Sequence, residues 1–107
     1  MSEQEKRQSR RMSARGAVEF YDQDGVLLQG VGRLLNLSVT GSLVETSMQL
    51  TPGQVLRLRL QMDHKEPMDL EVTVVRAYLK QSVKTYGIHF NCITLEEFER
   101  LKTFLAN

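Results

Sequence analysis

The sequence predicts a mainly β protein: a six-stranded antiparallel β-barrel with one C-terminal α-helix and a flexible basic N-terminal arm. Three observations carry that expectation. Short apolar stretches alternate with polar residues, most clearly in "VLRLRLQM", where Leu56, Leu58 and Leu60 interleave with Arg57 and Arg59. Turn signals, Asp24-Gly25 and Thr51-Pro52-Gly53, punctuate these stretches. The tail "ITLEEFERLKTFLAN" then changes to helical spacing. A chain of 107 residues suits a single core. The expected division is an arm over residues 1–14 and one domain over residues 15–107.

Each element has its own justification. Residues 1–14 hold no aromatic or β-branched side chain and cannot bury enough surface to offset ordering. "AVEFYD" is short and β-prone, and Asp24-Gly25 closes a hairpin onto "VLLQGVGRLLNLSV". Gly30 and Gly32 share one face of that second strand, which points to coiling, a bulge or close approach of another backbone. "SLVET" is the third strand and "VLRLRLQM" the fourth. In "MDLEVTVVRAYL", Leu70, Val72 and Val74 face one way; in "KTYGIHFNCI", Tyr86, Ile88 and Phe90 do, leaving His89 outside. The helix is expected at about residues 94–106. Thr94 and Glu97 make a capping box, Ile93 and Phe98 a hydrophobic staple, and Phe98, Leu101, Phe104 and Leu105 an apolar stripe. Lys102 is expected to complement the helix dipole. Closing the six strands removes exposed edges, and the helix can cover one open end.

Composition excludes several function classes. The single cysteine, Cys92, rules out an internal disulfide framework and reads as a small packed residue. No Cys/His spacing suits a metal, and His64 and His89 have no reason to converge. No apolar run is long enough to span a membrane, and the polar start is not a signal peptide, so a cytoplasmic protein is expected. There is no phosphate-binding glycine loop and no nucleophile elbow around Ser38, so neither an enzyme nor a cofactor is expected.

Charge is uneven. Lys6, Arg7, Arg10, Arg11 and Arg15 crowd the first sixteen residues against Glu3 and Glu5, while the whole chain carries only +1. A basic arm on a mildly acidic body points to a local anionic partner. The remaining strand arginines, Arg33, Arg57, Arg59 and Arg76, read as exterior residues. A second feature is "NLSVTG", residues 36–41, where Asn36 and Ser38, two apart on a strand, are expected to project from one face and Gly41 to permit a tight turn.

Together, Arg11-x-x-x-Arg15 and, some twenty residues later, Asn36-x-Ser38-x-x-Gly41 resemble the PilZ domain family, as does "YGIHF" as a closing strand. The resemblance runs from about Arg10 to the helix. It implies a non-enzymatic receptor for cyclic di-GMP, a ligand with two guanines and two phosphodiesters. Arginine suits that ligand because it forks onto guanine O6 and N7, pairs with phosphate and stacks on bases. By resemblance, Arg11 and Arg15 clasp the ligand, Asn36 and Ser38 meet a guanine edge or a phosphate oxygen, and Gly41 keeps the surface open. Asn36 stands where many members have Asp, and Ser42 where a second glycine is frequent. Arg10, beside the pair, is expected to serve a second ligand molecule, giving an intercalated dimer. Ordering of the arm would reshape a surface read by an unidentified downstream protein, since the chain is expected to carry no output domain of its own. The alternatives are a PilZ-type interaction adaptor without nucleotide binding, and a small barrel for single-stranded nucleic acid. The second is disfavoured because strand interiors claim most of the aromatic residues.

Overall fold

A computed structural model of the chain describes residues 12–62, 66–80 and 83–106, with the backbone alone at 12–15, 80 and 106. Residues 1–11 of the expected arm, and His64, lie outside the described residues. Six strands follow in order: β1 (Met12–Tyr21), β2 (Leu28–Leu37), β3 (Gly41–Thr46), β4 (Val55–Gln61), β5 (Met68–Lys80) and β6 (Val83–Phe90). The helix α1 (Leu95–Ala106) ends them. All pairings are antiparallel and close into a barrel in the order β1-β2-β3-β6-β5-β4. β1 starts five residues ahead of the expected "AVEFYD", because Met12 and Ser13 already pair with Leu37 and Asn36.

The core follows the alternation read in the sequence. Val18 and Phe20 of β1, Leu56, Leu58 and Leu60 of β4, Leu70, Val72 and Val74 of β5, and Tyr86, Ile88 and Phe90 of β6 are all buried. At about 25 cal/mol per Å² of apolar surface, each fully buried residue of this size contributes roughly 1.5–3 kcal/mol. His89 is exposed, as the alternation requires. The glycine pair of β2 reflects close approach. A side chain at Gly32 would press on Glu45 of β3 and the Phe20 ring, and one at Gly30 would overlap Met48. Two turn glycines sit at positive φ, Gly25 of the β1–β2 hairpin at 75° and Gly53 of the β3–β4 connection at 95°, where a Cβ is strained.

One barrel mouth gathers the Ser38–Gly41 connection, the end of β6 and the β4–β5 connection, and α1 covers it. Leu101 is completely buried, and Ile93, Phe104 and Leu105 pack against the core. Arg100 donates to the Glu66 carbonyl at 2.7 Å, pinning the helix to the β4–β5 connection. The capping box forms in both directions: Glu97 N–H donates to Thr94 Oγ1 (3.1 Å), and Thr94 N–H to Glu97 Oε1 (2.9 Å). Two side-chain expectations do not hold. Lys102 lies before the last helical turn and its ammonium instead sits 5.4 Å from the Phe98 ring centre. Cys92 is exposed, because it follows the last residue of β6 on the surface connection to α1.

Candidate functional site

The "NLSVTG" stretch splits into three different environments. β2 ends at Leu37, so Ser38 falls beyond the strand instead of sharing a face with Asn36. It is completely buried, and its Oγ accepts from the N–H groups of Thr40 (3.2 Å) and Gly41 (3.1 Å). With the Ser38 N–H donating to the Gly41 carbonyl at 2.9 Å, this is a hydroxyl-braced turn. Gly41 is buried as well, and a Cβ there would run into the Ile88 carbonyl of β6. Its missing side chain admits the neighbouring backbone rather than opening a surface. Ser42 points inward between its cross-strand partners Leu37 and Ile88, and among the described residues its hydroxyl has no hydrogen-bond partner.

Asn36 alone of the three faces outward, and the backbone explains why. β2 is irregular between Leu34 and Asn36, where β3 offers no partner for Leu35. The extra residue resets the alternation, so Leu34 and Leu37 are both buried while Leu35 and Asn36 turn to the outer face. β5 repeats the device: its register slips between Val74 and Arg76, placing Val75 and Arg76 together on the outside. The two bulges flank β3 and β6 and define a groove of about 590 Å³.

The register fixes its floor. Asn36 pairs with Leu43, Leu43 with Gly87, and Gly87 with Arg76, so these four residues form one row across four strands. Three interstrand steps separate Asn36 from Arg76, about 14 Å at the usual strand spacing. Gly87 leaves the middle of the row open; the nearest atoms to an added Cβ are 3.6 Å away, on Arg76 and Val75. Thr85 and Tyr78 extend the wall along β6 and β5. Arg76 is exposed and, among the described residues, makes no hydrogen bond or ion pair. The sequence puts Arg76 on a strand exterior with no site attached to it, and no motif in it singles out Tyr78. The signal that could have found them is the adjacency of Arg76 and Tyr78 on one strand face; the bulge that aims them at Asn36 leaves no mark in the sequence.

The row continues onto β1, where Ser13 pairs with Asn36. β1 is irregular between Ser13 and Gly16, so the backbone of Arg15 passes directly beside the Leu35 bulge. Arg10 and Arg11 lie outside the described residues, and the chain reaches β1 at Met12, opposite Leu37. The groove therefore has the start of β1 at one edge and Arg76 at the other.

The rest of the surface is different in kind. Arg33 pairs with Glu45 at 2.8 Å, and Arg59 with Asp69 at 2.8 Å while lying 5.6 Å from the centre of the Tyr21 ring. The hydrogen bond from Tyr21 to Glu19 is the main cause of the raised phenol pKa, and that to Asp69 the main cause of the raised Arg59 pKa. A larger concavity of about 920 Å³ lies on α1, but Glu66, Glu96 and Glu99 outweigh Arg100 in its lining, which disfavours an anion. Among the described residues no group of His, Cys, Asp and Glu could hold a metal, and no helix is long and apolar enough to cross a membrane.

Comparison with solved structures gives the same fold. YcgR from Escherichia coli in complex with c-di-GMP matches at TM-score 0.79 and 14% identity, over 94% of this chain and 44% of that one. The chain thus spans less than half of that protein. The PilZ domain of YcgR with c-di-GMP matches at TM-score 0.74 and 14% identity, over 94% and 88% of the two chains. The Bacillus subtilis inhibitor of motility, MotI/DgrA, matches at TM-score 0.76 and 18% identity, over 94% and 49%. No curated protein sequence matches. The family profile for the PilZ domain covers residues 5–107, and with the closed barrel beneath it the chain belongs to the PilZ domain family.

Proposed function

We propose that this chain is a c-di-GMP receptor without catalytic activity, and that the groove between the β2 and β5 bulges is where the ligand lies. The observation that carries the reading is the row Asn36–Leu43–Gly87–Arg76, an open floor with an amide at one end and an uncompensated guanidinium at the other. Family membership and the c-di-GMP held by the YcgR structures support it.

The chemistry divides by residue. Arg11 and Arg15 approach from the arm and β1 and clasp phosphate and guanine, each able to form paired hydrogen bonds to an anionic or acceptor-rich edge. Asn36 offers an amide to a guanine edge. Arg76 adds positive charge from the far side, where it loses no ion pair on engaging ligand. Ser38 and Gly41 act indirectly, by bracing the turn that follows Asn36 and letting β3 close on β6. Arg10 serves a second ligand molecule stacked on the first. Ligand draws the arm against the groove, and the altered surface is what a downstream protein reads.

Calorimetry with c-di-GMP tests the reading. Saturable heat with two ligand molecules per chain is expected. Arg11→Ala and Arg15→Ala should each weaken binding by about 1.5–3 kcal/mol, the usual worth of hydrogen bonds to charged groups. Absence of both heat and thermal stabilisation at high ligand concentration would leave the chain an interaction adaptor. Binding of mixed-sequence oligonucleotides in preference to the dinucleotide would make it a nucleic-acid protein.

A further inference from the structure

β5 is thirteen residues long, and it outruns its neighbour. β4 pairs with it only as far as Thr73, and the last bonds on that side run from Val74 to Gln54 and from Gly53 to Val74. From Val75 to Lys80, β5 is paired with β6 alone. Its other edge has no backbone partner among the described residues. Val74 aims its amide and carbonyl at that open side, and strand alternation resumes the same direction after the bulge at Ala77 and Leu79. Every residue from Val75 to Leu79 is exposed, including Val75 at 52%, Tyr78 at 44% and Leu79 at 66%. Proteins usually protect such an edge with charge or proline; here a cation stands at each end, Arg76 and Lys80, and the three residues between them, Ala77, Tyr78 and Leu79, carry neither.

We infer that this edge pairs with the same edge of a second copy of the chain, antiparallel and with the two-fold axis at Ala77. The segment is complementary to itself in that register. Ala77 faces Ala77, the smallest side chain available at an axis. Arg76 faces Tyr78 of the second copy in both directions, so a cation meets an aromatic ring instead of another cation. Arg76 and Tyr78 also wall the groove. The pairing therefore sets the second copy's Tyr78 at the open β5 side of each groove and makes the two grooves neighbours on one continuous sheet. An edge this short buries little surface, so the association is weak and concentration-dependent.

The inference is tested on ligand-free protein, so its failure is separate from any failure of the ligand reading. Sedimentation velocity should show a monomer converting to dimer as concentration rises. Ala77→Glu, which opposes two carboxylates at the axis, should keep the wild-type melting temperature and remain monomeric. In a Cys92→Ser background, Ala77→Cys places two thiols opposite each other, about 5.5 Å between Cα atoms in a hydrogen-bonded pair and within disulfide reach. Mild oxidation should cross-link it many times faster than Asp24→Cys, placed on the exposed β1–β2 turn. A wild-type chain that stays monomeric at every concentration, or equal cross-linking at positions 77 and 24, overturns the inference.

Discussion

Two faces of one barrel are ordered by opposite means. On the face formed by β1, β4 and the first half of β5, side chains hold one another: Arg59 grips Asp69 and lies over Tyr21, which donates to Glu19. Along the row from Asn36 to Arg76, beyond the Arg33–Glu45 pair that spans β2 and β3, the backbone supplies the order. Two bulges set the walls, Gly41 lets β6 come close, and Gly87 clears the floor. Ion pairs there would consume the groups a ligand needs. Backbone devices shape the groove without committing the Arg76 guanidinium to an ion pair among the described residues, which is what the proposed binding role asks of it.

The comparison can be broken most severely at its seam. Gly41→Ala drives a methyl into the Ile88 carbonyl, and overpacking at so confined a point should cost about 3 kcal/mol in urea unfolding, the upper range for such changes. An unaltered unfolding midpoint would mean that the β3–β6 approach is not tight. Next comes Arg76→Ala, expected to weaken c-di-GMP binding by roughly 1.5–3 kcal/mol with no change in melting temperature, because no structural partner is lost. Equal losses in affinity and stability would return Arg76 to an ordinary exterior role. Ser42→Ala should stabilise the fold by about 1 kcal/mol, since it removes a buried hydroxyl with no described partner; destabilisation of that size would show that the hydroxyl is satisfied. Smallest of all is Arg59→Ala on the opposite face, where the exposed pair with Asp69 is screened by water. Ligand titration and thermal melting should both match the wild type.

What the sequence made legible is what alternation and caps encode. Leu56, Leu58 and Leu60 against Arg57 and Arg59 announce a half-buried strand, and Thr94 with Glu97 announces a helix start, because in each case chemistry and spacing are local. The motif "NLSVTG" was legible as a place but not as a mechanism. Period-two counting puts Asn36 and Ser38 on one face; the end of β2 at Leu37 separates them, sending Ser38 into the turn and leaving Asn36 outside. Arg76 and Tyr78 escaped assignment for a related reason. Their partner row lies forty residues earlier on β2, and only the closure of the barrel brings it opposite. Bulges are cheap in sequence and decisive in space. Cys92 and Lys102 went astray because their settings depend on where a strand or helix stops, and boundaries are the least local part of the code.

Tyr86 sits immediately before Gly87 and points the other way. Its hydroxyl donates to the Met48 carbonyl at 3.0 Å and accepts from the Leu50 amide at 3.0 Å. The strand that carpets the groove is thereby moored to the connection arching over the far mouth of the barrel. Pressure applied to the outside of β6 cannot be absorbed by that strand alone; it pulls on a rope tied at the opposite rim.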